Sequence, residues 1–186
     1  MSADEHGLSN EITFHTVVPV DWSVLDVFPG DGAQSQTSSA NLRLLNALNI
    51  LEEVPLDSES VTVSAPESPH LEAKLDLMLG MLGELLRHQA EYPEALPVIV
   101  TANNLAIDHQ TDLPQLEKGD LLRVRLFLDA RFPQALQFFG TVSSSSETHF
   151  VVSFNSLLVP VQEQLDKFIF RQHRRAIASS RREHDT

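Results

Sequence analysis

Six of the thirteen Lys and Arg residues fall in the last twenty positions: Lys167, Arg171, Arg174, Arg175, Arg181 and Arg182. Arg171 and Arg175 form an Arg-x-x-x-Arg pair, and with Arg174 they place three guanidiniums on about one helical turn. Planar guanidiniums make bidentate contacts to phosphate and stack on bases, so one chemistry open to this cluster is anion binding. The other reading is structural. Cations in the last turns of a helix complement its dipole, and these can also pair with acids of the body or of a neighbouring subunit. The weight of position, at the end of the chain, favours the structural reading.

Other reactive types are scattered. The eight histidines stand at 6, 15, 70, 88, 109, 149, 173 and 184, and none pairs at metal-ligand spacing. No nucleophile elbow, phosphate-binding glycine loop or dinucleotide fingerprint is present. The Glu52–Glu53 pair follows a helical stretch and reads as solvated. Cysteine is absent, which removes thiolate and disulfide chemistry and fits a cytoplasmic setting. A non-enzymatic protein with no metal and no resident cofactor is expected.

The charge is polarised. Residues 1–166 hold seven Lys or Arg against 24 Asp or Glu, and residues 167–186 hold six against two, giving the net −13 of the whole. The body should repel nucleic acid and anionic membrane, and no apolar run reaches the roughly 18 residues a membrane helix needs. Neither a nucleic-acid partner nor a membrane is expected. Hydrophobic residues make up 42% of the 186, enough for a sizeable core in one domain.

The elements that must carry these groups follow from periodicity. Residues 1–10 read as a frayed terminus. "EITFHTVVPVDW" alternates at Ile12, Phe14, Val18, Val20 and Trp22, a strand in which Pro19 suggests an edge or an end. "FPGDGAQSQTSS" reads as a loop, with Ser38 or Ser39 as the N-cap of the Leu-rich helix that follows. "PHLEAKLDLMLGMLGELLRHQ" places Leu71, Leu75, Met78, Leu82 and Leu85 at heptad spacing. That stripe is wide for a small domain to cover, which predicts self-association through it over a purely internal helix. Gly80 and Gly83 on the same helix predict close approach of another backbone.

Beyond Pro93 the period becomes two. "LPVIVTANNLAI" reads as one strand with Asn103–Asn104 forming a turn. "LEKGDLLRVRLFLD" is a turn and a strand with Leu122, Val124, Leu126 and Leu128 on one face. "ALQFFGTVSSSSETHFVVSFNS" reads as a hairpin turning at the serines and Glu147. The last stretch is helical, with Leu165, Phe168, Ile169, Gln172 and Ala176 on one side. Strand, helices, antiparallel strands and a terminal helix fit an α+β, mainly β, antiparallel barrel with a helical insertion at about 38–90. The single domain is expected to span 11–182, with 1–10 and 183–186 as flexible termini.

The succession "LEAKLDLMLGMLGELL", "VIVTANNLAI", "LEKGDLLRVRLFL", a hairpin and "LDKFIFRQHRRAIA" resembles the PilZ domains. It is most similar to their atypical, tetramer-forming branch, which inserts heptad-bearing helices into a six-stranded barrel. The resemblance implies a homo-oligomer, a tetramer, in bacterial cyclic di-GMP signalling, with cyclic di-GMP as the ligand of the family and a signalling protein as partner. The usual family site has Arg-x-x-x-Arg before the first strand and Asp/Asn-x-Ser-x-x-Gly on the next. Here "MSADEHGLSNE" has no arginine, and the second segment aligns with Ile99-x-Thr101-x-x-Asn104. Thr101 can stand for the serine and Asn104 for the glycine, but Ile99 cannot act as an Asp or Asn. Two readings follow. One is an adaptor that binds a partner protein with the ligand motif degenerate. The other is a cyclic di-GMP receptor with a rearranged site using Thr101, Asn104, Arg171, Arg174 and Arg175.

Overall fold

The computed structural model describes residues 11–53, 74, 77–78, 80–81, 92–108, 116–129, 134–155 and 157–184; for 51–53 and 180–184 it describes the backbone alone. Six strands and two helices are bounded within these residues: β1 (Phe14–Leu25), α1 (Asp31–Glu53), β2 (Ala95–Val100), β3 (Asn104–Asp108), β4 (Leu121–Leu126), β5 (Leu136–Ser145), β6 (His149–Phe154) and α2 (Val159–His184).

The strands close into an antiparallel barrel in the order β1-β2-β3-β6-β5-β4. Closure removes free sheet edges. Pro19 is therefore not at an edge. It stands where β1 changes partner, since Phe14–Pro19 pair with β2 and Val20–Leu25 pair with β4. Its missing N–H falls at that change of partner, while its carbonyl still accepts from Phe127 N at 3.0 Å.

Alternation fills the barrel. Leu122, Val124 and Leu126 of β4, Leu136, Phe138 and Val142 of β5, and Phe150 and Val152 of β6 are all buried in one core. The arginines between the β4 leucines point out to solvent, as a half-buried strand requires. Leu128 lies past the end of β4, partly buried against the core. Gly119, at φ +104°, makes the turn before β4, a conformation that side chains with a Cβ resist. The β5–β6 hairpin forms as its pattern predicts, although Ser143–Ser145 belong to β5 and the turn itself is Ser146–Thr148.

Two expectations about element ends are corrected. "LPVIVTANNLAI" is two strands, β2 and β3, because Thr101 closes a tight turn between them: its N–H donates to Asn104 O at 2.9 Å, and its hydroxyl accepts from the N–H groups of Asn103 and Asn104 at 3.2 and 2.9 Å. The first helix begins at Asp31, not at Ser38 or Ser39, so residues 31–37 are helical and the insertion starts earlier than 38. Gly30 is its cap, with Gly30 O accepting from Ala33 N and Gln34 N at 3.0 and 3.2 Å, and Asp31 places a carboxylate at the positive end of the dipole. The "GDG" stretch is thus a helix start.

Both helices pack on the barrel. α1 buries Asn41, Leu44, Leu45, Leu48 and Asn49, a three-and-four spacing. The Asn41 carboxamide grips β5 at Gln137, donating to its carbonyl at 2.7 Å and accepting from its N–H at 2.9 Å. α2 buries Val161, Leu165, Phe168 and Ile169, with Phe168 edge-on to Phe14 of β1 at 5.7 Å. Of the expected inner face, Gln172 is half-buried and Ala176 is exposed.

Candidate ligand site and helical surfaces

The β2–β3 turn is where the second ligand segment of the resembled family would lie. Thr101 is fully buried and occupied in making the turn. Asn104 begins β3, and its Oδ1 accepts from Ser153 Oγ of β6 at 2.8 Å. Ile99 is fully buried and forms a small apolar row with Ala106 and Val151 across β2, β3 and β6. Each of the three therefore has a packing or hydrogen-bonding partner within the chain.

The exposed corner of the same turn is taken up by other residues. Asn103 Oδ1 accepts from Gln162 Nε2 of α2 at 2.7 Å, and Asn103 Nδ2 donates to Glu11 Oε1 at 3.4 Å. Glu11 Oε2 is buried without a partner among the described residues. Asp166, one helical turn beyond Gln162, is pushed above the ordinary carboxylate range by partial burial first and by the charge of Glu11 second. Two carboxylates at this corner raise the free energy of a phosphate placed there. At the start of β1, His173 Nδ1 lies 3.2 Å from Thr13 O, and His15 Nε2 lies 3.2 Å from Thr13 Oγ1. Partial burial and neighbouring positive charge, His173 included, lower the affinity of His15 for a proton.

Arg171 and Arg174 of α2 contact different groups. Arg171 donates from Nη1 to Asn49 O on α1 at 2.6 Å. Arg174 is exposed and lies over the ring of Phe170 at 5.8 Å. Arg175 is exposed too, and it has an interaction of its own. Sequence spacing placed all three on one turn but could not show that Arg171 turns inward to α1.

Among the heptad positions only Met78 falls within the described residues; Leu71, Leu75, Leu82 and Leu85 lie outside them, as does Gly83. Met78 is 59% exposed, and Leu77 and Met81 beside it are 64% and 63% exposed. With Lys74 they recur at i, i+3, i+4 and i+7, one face of a helix. Among the described residues, nothing lies within 4 Å of where a Cβ would sit on Gly80.

No group of three or more metal-binding side chains occurs among the described residues, and no described helix is long and apolar enough to cross a membrane.

Comparison with known proteins follows from this geometry. No curated protein sequence matches the chain significantly. A solved structure from Xanthomonas campestris, described as a tetrameric PilZ domain self-assembled through an unusual helical bundle, superposes with a TM-score of 0.74 at 22% identity, covering 95% of this chain and 97% of that one. That likeness is one of fold. The family profile described as "Atypical PilZ domain, cyclic di-GMP receptor" matches residues 45–182. The chain belongs to the atypical PilZ domain family.

Proposed function

We propose that the protein is a non-enzymatic adaptor of bacterial cyclic di-GMP signalling, working in the cytoplasm through self-association and the binding of a partner protein. The observation that carries this reading is the stripe of Leu77, Met78 and Met81, three large apolar side chains each more than half exposed on one helical face. A face of that kind is a docking surface in a soluble domain. Another copy of the same helix would cover Met78 along the seam it shares with Leu71, Leu75, Leu82 and Leu85, with Leu77 and Met81 flanking that seam. The tetrameric assembly of the similar Xanthomonas campestris protein supports a four-copy bundle here as well. Sedimentation velocity of wild type against Leu75→Glu/Leu82→Glu tests it. The wild type is expected to sediment as a tetramer and the variant as a smaller species; a monomeric wild type would refute the reading.

The family description favours a second reading, a cyclic di-GMP receptor with a rearranged site. Against it stand the structural employment of Thr101, Asn104 and Arg171, and the carboxylates of Glu11 and Asp166 beside the turn. Binding of cyclic di-GMP separates the two.

A further inference from the structure

β4 presents two arginines on the outside of the barrel, and they are treated differently. Arg125 faces Asp21 of β1, donating from Nε to Oδ1 at 2.8 Å and from a terminal nitrogen to Oδ2. Arg123, two residues earlier, faces Ser23 on β1 and Phe139 on β5. It makes no ion pair among the described residues. Arg123 lines an open groove of about 530 Å³ between the outer face of β4–β5 and the first three turns of α1.

The walls of this groove are apolar: Leu25, Val27 and Pro29 from the end of β1 and the chain after it, and Phe139 from β5. Val27 is 77% exposed, the most exposed large hydrophobic residue among those described, and Phe139 is braced edge-on by Phe28 at 6.1 Å. Some of the polar lining is already engaged. The Asn41 carboxamide is committed to the backbone of Gln137, and Gln137 Nε2 donates to Thr37 Oγ1 at 3.3 Å. Gln36 and Gln134 also line the groove. No lining residue is acidic, although residues 1–166 carry 24 Asp or Glu against seven Lys or Arg.

We propose that this groove docks a short extended segment of a partner protein, one that sets a single carboxylate on Arg123 and an adjacent apolar side chain against Val27, Pro29 and Phe139. The proposal rests on the adaptor reading and says where the partner sits. Charge complementarity identifies the occupant. A guanidinium without an acid, in an otherwise acidic body, is matched by a carboxylate, which it can bind through two parallel N–H bonds. The apolar wall desolvates that pair and supplies area, and the carboxamides of Gln36 and Gln134 suit the backbone of an extended peptide. The groove is open to solvent, so a segment of chain can enter it from the side.

Selection from a phage-displayed library of random decapeptides on the full-length protein, followed by fluorescence anisotropy with the selected peptides resynthesised, tests this. The selected peptides are expected to share an Asp or Glu next to a large apolar residue. Binding is expected to weaken about tenfold or more in Arg123→Gln, the loss of a hydrogen-bonded charge partner. It should weaken in Val27→Asp and stay unchanged in Lys118→Ala, an exposed residue outside the groove, with circular dichroism confirming that each variant is folded. Peptides without that pattern, equal binding to Arg123→Gln, no selection at all, or displacement by cyclic di-GMP would each overturn the groove assignment. The adaptor reading fails separately, by a monomeric wild type or by binding of cyclic di-GMP away from the groove.

Discussion

Arg171 of α2 donates to the main-chain carbonyl of Asn49, 122 residues earlier on α1, at 2.6 Å. Asn49 in turn donates from Nδ2 to the carbonyl and to Oε1 of Gln164, both at 3.1 Å. The two helices are tied in both directions near the last turn of α1, where a cation also complements the dipole. This gives one of the terminal arginines a structural purpose in an acidic protein. Arg171→Ala is expected to cost about 1.5–3 kcal/mol, the range for a hydrogen bond to a charged group. Arg174→Ala, which loses an exposed contact with Phe170, should cost under about 1 kcal/mol. Urea denaturation of the two variants checks the ranking; equal losses would contradict it.

Asn41 is 2% exposed and satisfies both the N–H and the carbonyl of Gln137. Asn41→Leu keeps the branched shape, though the side chain is larger, and leaves both backbone groups without partners beneath α1. A loss of about 2–4 kcal/mol is expected, one to two unmet buried groups. Amide hydrogen exchange should locate the damage, with Gln137 losing protection before the rest of β5. A loss spread evenly over the barrel would mean the clamp is not local.

Gly140 of β5 pairs with Phe154 of β6. A Cβ there would meet Val152 Cγ1 at 2.4 Å and Ser153 O at 2.6 Å. Gly140→Ala is expected to cost about 1–3 kcal/mol by overpacking. Val152→Ala should relieve only part of it, because the Ser153 carbonyl belongs to the ladder and cannot retreat. Full rescue in the double variant, read by thermal melting, would show that the backbone contact is unimportant.

Asp166 has a raised proton affinity in the folded state, from partial burial and from Glu11. A carboxyl of this kind binds more protons folded than unfolded, so its contribution is most favourable below the unfolded pKa and is lost as pH rises through the folded value. At neutral pH its charge therefore opposes folding. Asp166→Asn is expected to melt higher than wild type at pH 7, with the difference shrinking to nothing in acid below the ordinary carboxylate pKa. A difference that grows in acid would reverse the sign and refute the cause.

The barrel core was legible because its inward residues alternate. Leu122, Val124 and Leu126 between arginines, and Phe150 and Val152 on β6, admit one register with the apolar face inside. The start of α1 was not. "DGAQSQTSS" is poor in helix formers, and its first turns are held by contacts to β5 through Thr37 and Asn41 that no local pattern reveals. The β2–β3 turn was marked by Asn103–Asn104, but the division into two strands was not, because its stop is a threonine hydroxyl instead of a glycine or proline. Of the candidate site, the residue types were visible and their partners were not. Glu11, Asn103 and Gln162 meet across separations of 92 and 59 residues, and the helical spacing of Arg171 to Arg175 gave no sign of Asn49. The single hint available was the paired asparagines at 103–104, which mark the turn without saying what grips it.

Isothermal titration of cyclic di-GMP into the full-length protein tests most directly whether this barrel acts as an adaptor. With Thr101, Asn104 and Arg171 committed to structure and two carboxylates beside the turn, no saturable heat is expected up to millimolar nucleotide, about −4 kcal/mol of binding free energy. A micromolar isotherm that disappears in Arg171→Ala/Arg175→Ala, with the variant still folded, would contradict that expectation and make the protein a receptor.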